Sequence, residues 1–208
     1  MGDTMLRKRV LSVIIGSNGA GKTTLAKKIM GEKRVTENCD FGKYTLCINN
    51  NIINNSNNNY NIIAIGSYSN TCGGVDTVKY LKNAYKMVVD LAKSYPGVDL
   101  LMDSFIMSGL FTSPVKMYLE LKYQYGFDVE ICLLYASERE SVRRVYQRNG
   151  GTPVNTGLIL AKRKQAMNVY KKLLSLGEFR CAVIDTTGKS PEGVFDAFKN
   201  WSSLYKNE

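Results

Sequence analysis

Gly16-Ser17-Asn18-Gly19-Ala20-Gly21-Lys22-Thr23 is the stretch whose reading decides the fold. It satisfies the pattern Gly-x-x-x-x-Gly-Lys-Ser/Thr in full. The segment before it, Arg9 to Ile15, holds the branched run Val10-Leu11-Ser12-Val13-Ile14-Ile15, which suits a strand buried on both faces. The segment after it, Thr23 to Met30, reads as a helix with Leu25, Ile29 and Met30 on one side and Gly31 ending it. Strand, glycine loop and helix in that order make a phosphate cradle. Glycines let successive backbone N–H groups turn toward phosphate oxygens, and the helix N-terminus adds its dipole. In that chemistry Lys22 bridges the outer phosphates and the Thr23 hydroxyl ligates Mg²⁺. Gly16, Ser17, Asn18, Gly19, Ala20, Gly21 and Thr24 complete the wall.

Working outward, strands and helices alternate. Tyr44 to Ile48 and Ile62 to Ile65 read as short strands, joined through a mostly Asn segment at about 49–61. Asn tolerates turns and supplies no core, so the segment is expected to be a flexible hairpin tip. Val78 to Tyr95 has helical spacing at Val78, Leu81, Val88 and Leu91, and Pro96-Gly97 stops it. Val98 to Met102 is a second buried strand, ending in Asp103. Val115 to Tyr125 is a helix, Val129 to Tyr135 a third buried strand, and Ser137 with Glu140 a capping box opening a helix through Arg148. A Lys-rich helix is expected from Gly157 to Leu176, and a last strand from Arg180 to Ile184. Ser190 and Pro191 start a final helix running to about Tyr205. The expectation is a single α/β domain over 1–208, built as a three-layer nucleoside-triphosphate-binding fold with a parallel sheet and helices on both faces.

Composition narrows the chemistry. With 28 Lys plus Arg against 18 Asp plus Glu, the 208-residue chain carries a net charge of +10, which favours an anionic partner. It has no histidine, so Ser-His-Asp and Cys-His mechanisms and the usual zinc sites are excluded. Proton transfer falls to a carboxylate, Lys, Tyr, Cys or water. Five widely spaced cysteines without a Cys-x-x-Cys pair read as reduced thiols. The start, Met1 to Val10, is polar and basic, and Leu6 breaks the myristoylation pattern. Without a run of membrane-spanning length, a soluble cytoplasmic protein with no membrane partner is expected.

Arg139, Arg143, Arg144 and Arg148 cluster on the helix after the third strand, followed by Asn149-Gly150-Gly151. Arg144 and Arg148, four apart, share a face. This segment, at about 138–157, resembles the small helical lid of nucleoside-monophosphate-type kinases of the P-loop kinase superfamily. In that group such arginines neutralise the transferred phosphoryl. Val183-Ile184-Asp185-Thr186-Thr187, then Ser190-Pro191-Glu192, is similar to the segment that packs on adenine in that group. The resemblance implies ATP and Mg²⁺ as cofactors, although the residues themselves do not separate ATP from GTP. No Asn-Lys-x-Asp guanine motif follows an apolar strand.

Asp40, Asp76 and Asp103 are candidates to orient a hydroxyl acceptor and take its proton. Asp103 equally suits support of the Mg²⁺ water shell, and each suits a turn cap. Around them, Cys39-Asp40-Phe41-Gly42-Lys43-Tyr44 and the strand ending Gly66-Ser67-Tyr68, then Cys72-Gly73-Gly74-Val75-Asp76, resemble the phage 5-hydroxymethyluracil DNA kinases. That resemblance implies phosphorylation of the hydroxymethyl group of modified thymine within DNA, a step in thymidine hypermodification. Under it, the paired glycines admit close approach of a base, Tyr68 stacks on a base, and Lys and Arg track the DNA backbone. The base would be flipped out of a duplex. Two other readings stand beside it: a kinase of a free nucleotide or small metabolite, and a P-loop switch or ATPase without an acceptor. Oligomeric state is not legible.

Overall fold

Val10–Gly16 forms β1, and all seven of its residues are buried. The other strands are β2 (Lys33–Cys39), β3 (Gly42–Ile48), β4 (Ile62–Ile65), β5 (Asp99–Ser104), β6 (Asp128–Tyr135) and β7 (Arg180–Asp185). The helices are α1 (Lys22–Met30), α2 (Leu81–Ser94), α3 (Thr112–Tyr125), α4 (Glu138–Arg148), α5 (Thr156–Ser175) and α6 (Pro191–Trp201). These come from a computed structural model that describes residues 8–50, 52, 60–69, 73–104 and 112–206.

The strands make one seven-stranded sheet of order β2-β3-β4-β5-β1-β6-β7. From β4 to β7 every pairing is parallel, with β1 between β5 and β6. The expected parallel sheet is mixed at one edge, where β3 pairs antiparallel with both β2 and β4, the latter as the expected hairpin. The reason is connection length: the short turn from Cys39 to Gly42 allows only a hairpin, whereas a parallel return needs a crossover. Strand β2 escapes sequence reading because Lys-Arg-Val-Thr-Glu-Asn-Cys lacks an apolar alternation and stands largely exposed. Its charges suit an unpaired sheet edge.

Side chains of β1 alternate between two cores, as a period of two requires. Leu11, Val13 and Ile15 join Met87 and Val88 of α2, Tyr118 and Leu121 of α3, and Val169 and Leu173 of α5. Val10 and Ile14 join Leu25 and Ile29 of α1 and Val194 and Phe198 of α6. The sheet is thus covered on both faces, giving the three layers. Each fully buried Leu or Ile contributes on the order of 1.5–3 kcal/mol. Among the described residues no helix is long and apolar enough to cross a membrane.

The last helix stops at Trp201, short of the expected Tyr205, and Ser203–Tyr205 forms a 3₁₀ turn. Buried Glu130 of β6 explains the break. It accepts from Ser202 Oγ at 2.6 Å and the Ser203 N–H at 2.7 Å, drawing the chain off the helical path.

Most of the Asn-rich tip lies outside the described residues. Its two ends do not fit the expectation of a tip that supplies no core. Asn49 and Asn61 are buried, each about 5% exposed. The Asn49 N–H donates to Asn61 Oδ1 at 2.9 Å, and Asn61 Nδ2 donates to the carbonyls of Asn49 and Ile52. Asn49 Nδ2 reaches the Ile29 carbonyl at 2.6 Å, tying the hairpin to α1. A local composition rule misses this because the partners sit on a distant helix. Asn61→Ala orphans these buried groups and is expected to lower stability by about 1–3 kcal/mol in urea denaturation; an unchanged midpoint would refute the clasp.

Candidate active site

β1 delivers the glycine loop to the carboxyl edge of the sheet, and α1 begins at Lys22. The N-cap Gly21 has φ 93°, a left-handed conformation that side chains resist. It offers no side-chain cap, so the first-turn N–H groups of α1 remain directed at the cleft. Lys22 Nζ lies over the loop, donating to the carbonyls of Gly16 at 3.0 Å and Ser17 at 3.1 Å.

β5 runs beside β1 in the register Ile14↔Asp103, which brings Asp103 under the loop. Its Oδ2 accepts from Thr23 Oγ1 at 3.0 Å. Its Oδ1 accepts from the buried Tyr68 hydroxyl. Burial pushes the Asp103 pKa up, and the Tyr68 hydroxyl, the Lys22 ammonium and the Thr23 hydroxyl each oppose that rise. The Tyr68 phenol is held well above its ordinary range by burial and by Asp103, so it stays a donor.

Tyr68 is therefore not the base-stacking platform expected of it. At 5% exposure its ring is part of the core, and its hydroxyl is engaged by Asp103. Sequence reading had no access to this pairing, because the partners are far apart in the chain.

The loop after β4 closes back on Asp103. The Gly74 N–H donates to the Ser67 carbonyl at 3.1 Å, and Thr77 Oγ1 donates to the Gly74 carbonyl at 2.7 Å. A Cβ on Gly74 would stand 1.7 Å from Asp103 Oδ1, so only glycine fits, and φ 79° independently favours it. The 3₁₀ turn Val75–Thr77 then presents Asp76, whose Oδ1 accepts from Ser104 Oγ at 2.7 Å. Ser104 had no signal in the sequence beyond adjacency to Asp103. Cys72 lies outside the described residues.

These parts meet in a cleft of about 400 Å³ lined by Ser17, Asn18, Gly19, Gly21, Lys22, Thr23 and Thr24 of the loop. Gly73, Asp76, Arg144 and Arg148 face them across it. Asp40 is not brought in. It stands exposed in the β2–β3 turn, at the same end of the sheet but beyond β4.

Arg144 is less free than a lid arginine is expected to be. Its guanidinium donates to Glu140 at 2.7 Å, the Gly19 carbonyl at 3.2 Å, and the Thr186 hydroxyl and carbonyl at 3.0 and 2.7 Å. Glu140 also takes two bonds from Arg143, and the Arg143 and Arg144 contacts hold its pKa down at about 2. Arg148, one turn on, is exposed.

Arg144 joins the first cleft to a second, of about 560 Å³, which holds Ala20, Thr24 and Leu25 on one side. Thr186, Gly188, Lys189, Ser190 and Pro191, from the loop after β7, line the other. Its apolar floor at Leu25 and Val194 with polar edges suits a flat heterocycle.

Among the described residues no group of three or more His, Cys, Asp or Glu is placed to hold a metal. Thr23 and Asp103 nevertheless suit Mg²⁺, which takes one or two protein oxygens and fills the rest with water and phosphate.

A family model described as 5-hmdU DNA kinase matches residues 6–189. No curated protein sequence matches the chain. Among solved structures, the deoxyadenosine kinase from M. mycoides with bound dATP is 14% identical at a TM-score of 0.44, over 93% of this chain and 98% of that one. The PezAT toxin–antitoxin structure from Streptococcus pneumoniae is 19% identical at 0.46, over 98% of this chain and 84% of that one.

Gly74→Ala forces a methyl into the Asp103 carboxylate and a strained backbone at once. It is expected to cost about 3 kcal/mol or more in chemical denaturation. Wild-type stability in that variant would mean that the loop does not close on Asp103.

Proposed function

The chain belongs to the 5-hmdU DNA kinase family, and from that premise we propose that it transfers the γ-phosphate of ATP to the hydroxymethyl group of 5-hydroxymethyluracil in phage DNA, as a step in thymidine hypermodification. The observation that carries this reading is Asp76 opening on the same cleft as Lys22, Thr23 and Arg148. Phosphate-loop cation, metal-side hydroxyl, carboxylate base and lid arginine share one space.

The roles divide by place. The 560 Å³ cleft takes the adenine and ribose, between Leu25 and the Thr186–Pro191 loop. The Gly16–Thr24 loop takes the phosphates, with Lys22 as the cation for the outer pair. Thr23 and Asp103 would hold Mg²⁺, which would neutralise charge on the phosphates. Asp76, oriented by Ser104, accepts the proton of the acceptor hydroxyl. That oxygen bonds to the γ-phosphorus as the bridging bond to ADP breaks, and ADP leaves with the electron pair. Arg148, in the lid at about 138–157, meets charge on the moving phosphoryl, while Arg144 holds loop, lid and base cleft together. Asp40 lies on the acceptor side, outside the cleft.

Lys22→Ala is expected to lower phosphoryl transfer by at least about 10²–10³-fold. Asp76→Asn is expected to lower kcat by about 10²–10⁴-fold with the ATP KM little changed. A loss of ATP affinity in Asp76→Asn would instead put that residue on the donor side. The acceptor is tested by labelled γ-phosphate transfer to DNA with 5-hydroxymethyluracil, to thymine DNA and to free deoxynucleotides. Label in the modified DNA is the expected result. Label in free nucleotides alone would make this a kinase of a small acceptor, and hydrolysis without an acceptor would make it an ATPase.

A further inference from the structure

Asp76 is followed within four residues by an exposed aromatic flanked by cations. Tyr80 is 51% exposed, and the ammonium groups of Lys79 and Lys82 lie 5.3 and 5.8 Å from its ring centroid. Its backbone is held as the N-cap of α2, where its carbonyl accepts from the N–H groups of Asn83 and Ala84. The ring is thus fixed at its base and half exposed, with two ammonium groups over it.

Beginning at Leu81, next to Tyr80 in the chain, a groove of about 390 Å³ lies between the first turns of α2 and α3. Lys82, Tyr85 and Lys86 line one side, and Ser113, Lys116 and Met117 the other. Lys82, Lys86 and Lys116 are exposed, and among the described residues none of them is in an ion pair with a carboxylate. The nearby Glu120 is taken by the Tyr85 hydroxyl. Lys86 also lies 5.5 Å from the ring of Phe41, beside Asp40 in the β2–β3 turn. Glu120, bonded to Tyr85, is the carboxylate that touches a lining residue, against three lining lysines. The floor is apolar at Leu81 and Met117.

Lysines along an apolar groove, beside a half-exposed tyrosine, suit a polynucleotide strand, with phosphates on the ammonium groups and a base on the ring. Four residues of chain span at most about 14 Å. That is roughly four base steps at 3.4 Å each. We infer that this groove binds the DNA strand flanking the acceptor nucleotide, with Tyr80 stacking on a neighbouring base and Lys82, Lys86 and Lys116 on successive phosphates. The inference rests on the DNA-kinase reading above and adds how that kinase tells DNA from a free nucleotide.

The test uses the full chain, a single-stranded oligonucleotide carrying one 5-hydroxymethyluracil, and the free nucleoside 5-hydroxymethyldeoxyuridine. In the triple variant Lys82→Ala/Lys86→Ala/Lys116→Ala, the slope of log affinity against log salt should fall by about 2, at roughly 0.7 per lost contact. The oligonucleotide KM should rise at least about tenfold in that variant. Tyr80→Ala should weaken oligonucleotide binding about tenfold, and Tyr80→Phe should restore it. In all of these the ATP KM, the kcat at saturating DNA and transfer to the free nucleoside should stay at wild-type values. An unchanged slope and KM in the triple variant, with wild-type DNA phosphorylation intact, overturns the groove and leaves the kinase reading standing. Wild-type protein that labels only the free nucleoside overturns both. Loss of binding to phosphatidylserine vesicles, with oligonucleotide binding unchanged, reassigns the face to a membrane surface and also overturns it.

Discussion

The hydrogen bond from Thr23 Oγ1 to Asp103 Oδ2, 3.0 Å long, joins the start of α1 to the end of β5. It depends on the parallel register that sets Ile14 against Asp103. A slip of one residue would turn the carboxylate to the opposite face of the sheet and its neighbours with it. A carboxylate only 1% exposed is costly to desolvate, so it must be surrounded by donors. Thr23 supplies one, Tyr68 another, and Lys22 a compensating charge. The position of Tyr68 follows from that requirement and the glycine at 74 from the close approach of its loop, while Ser104, next in the strand, holds Asp76.

A second centre, at Arg144, plays the same role for the nucleotide side. Its donors reach the glycine loop, α4 and the loop after β7. Thr186 reinforces the joint by donating to the Ala20 carbonyl at 3.2 Å. Helix α4 therefore meets the glycine loop at its middle turn, while its far turn at Arg148 stays exposed. Arg144 is bonded on three sides, whereas Arg148, one turn on, is exposed at the cleft.

Legibility in the sequence followed the range of the physics. The phosphate loop was readable because its strand, glycines, Lys22, Thr23 and helix are contiguous, and their chemistry is local. The central strands were readable because burial on both faces writes a mostly apolar run, as in Leu100-Leu101-Met102 of β5 and Ile131-Cys132-Leu133-Leu134 of β6. Strand β2 was not, because an edge strand needs no apolar pattern. Tyr68 was misread because its burial is decided by Asp103, 35 residues away. Asp40 and Asp76 looked equivalent in sequence. Only the strand order separates them, setting one on an outer turn and the other in the cleft.

The contact of Gly74 with Asp103 has a thermodynamic meaning of its own. It makes the backbone that leads to Asp76 abut Asp103 without an intervening side chain. In the proposed reaction the gap between the two substrates is then set like a gauge block, by atoms in van der Waals contact, when the chain folds. Bringing two reactants into register ordinarily costs translational and rotational freedom at every encounter. Here much of that freedom is removed once, at folding, and each turnover begins from a spacing the protein already holds.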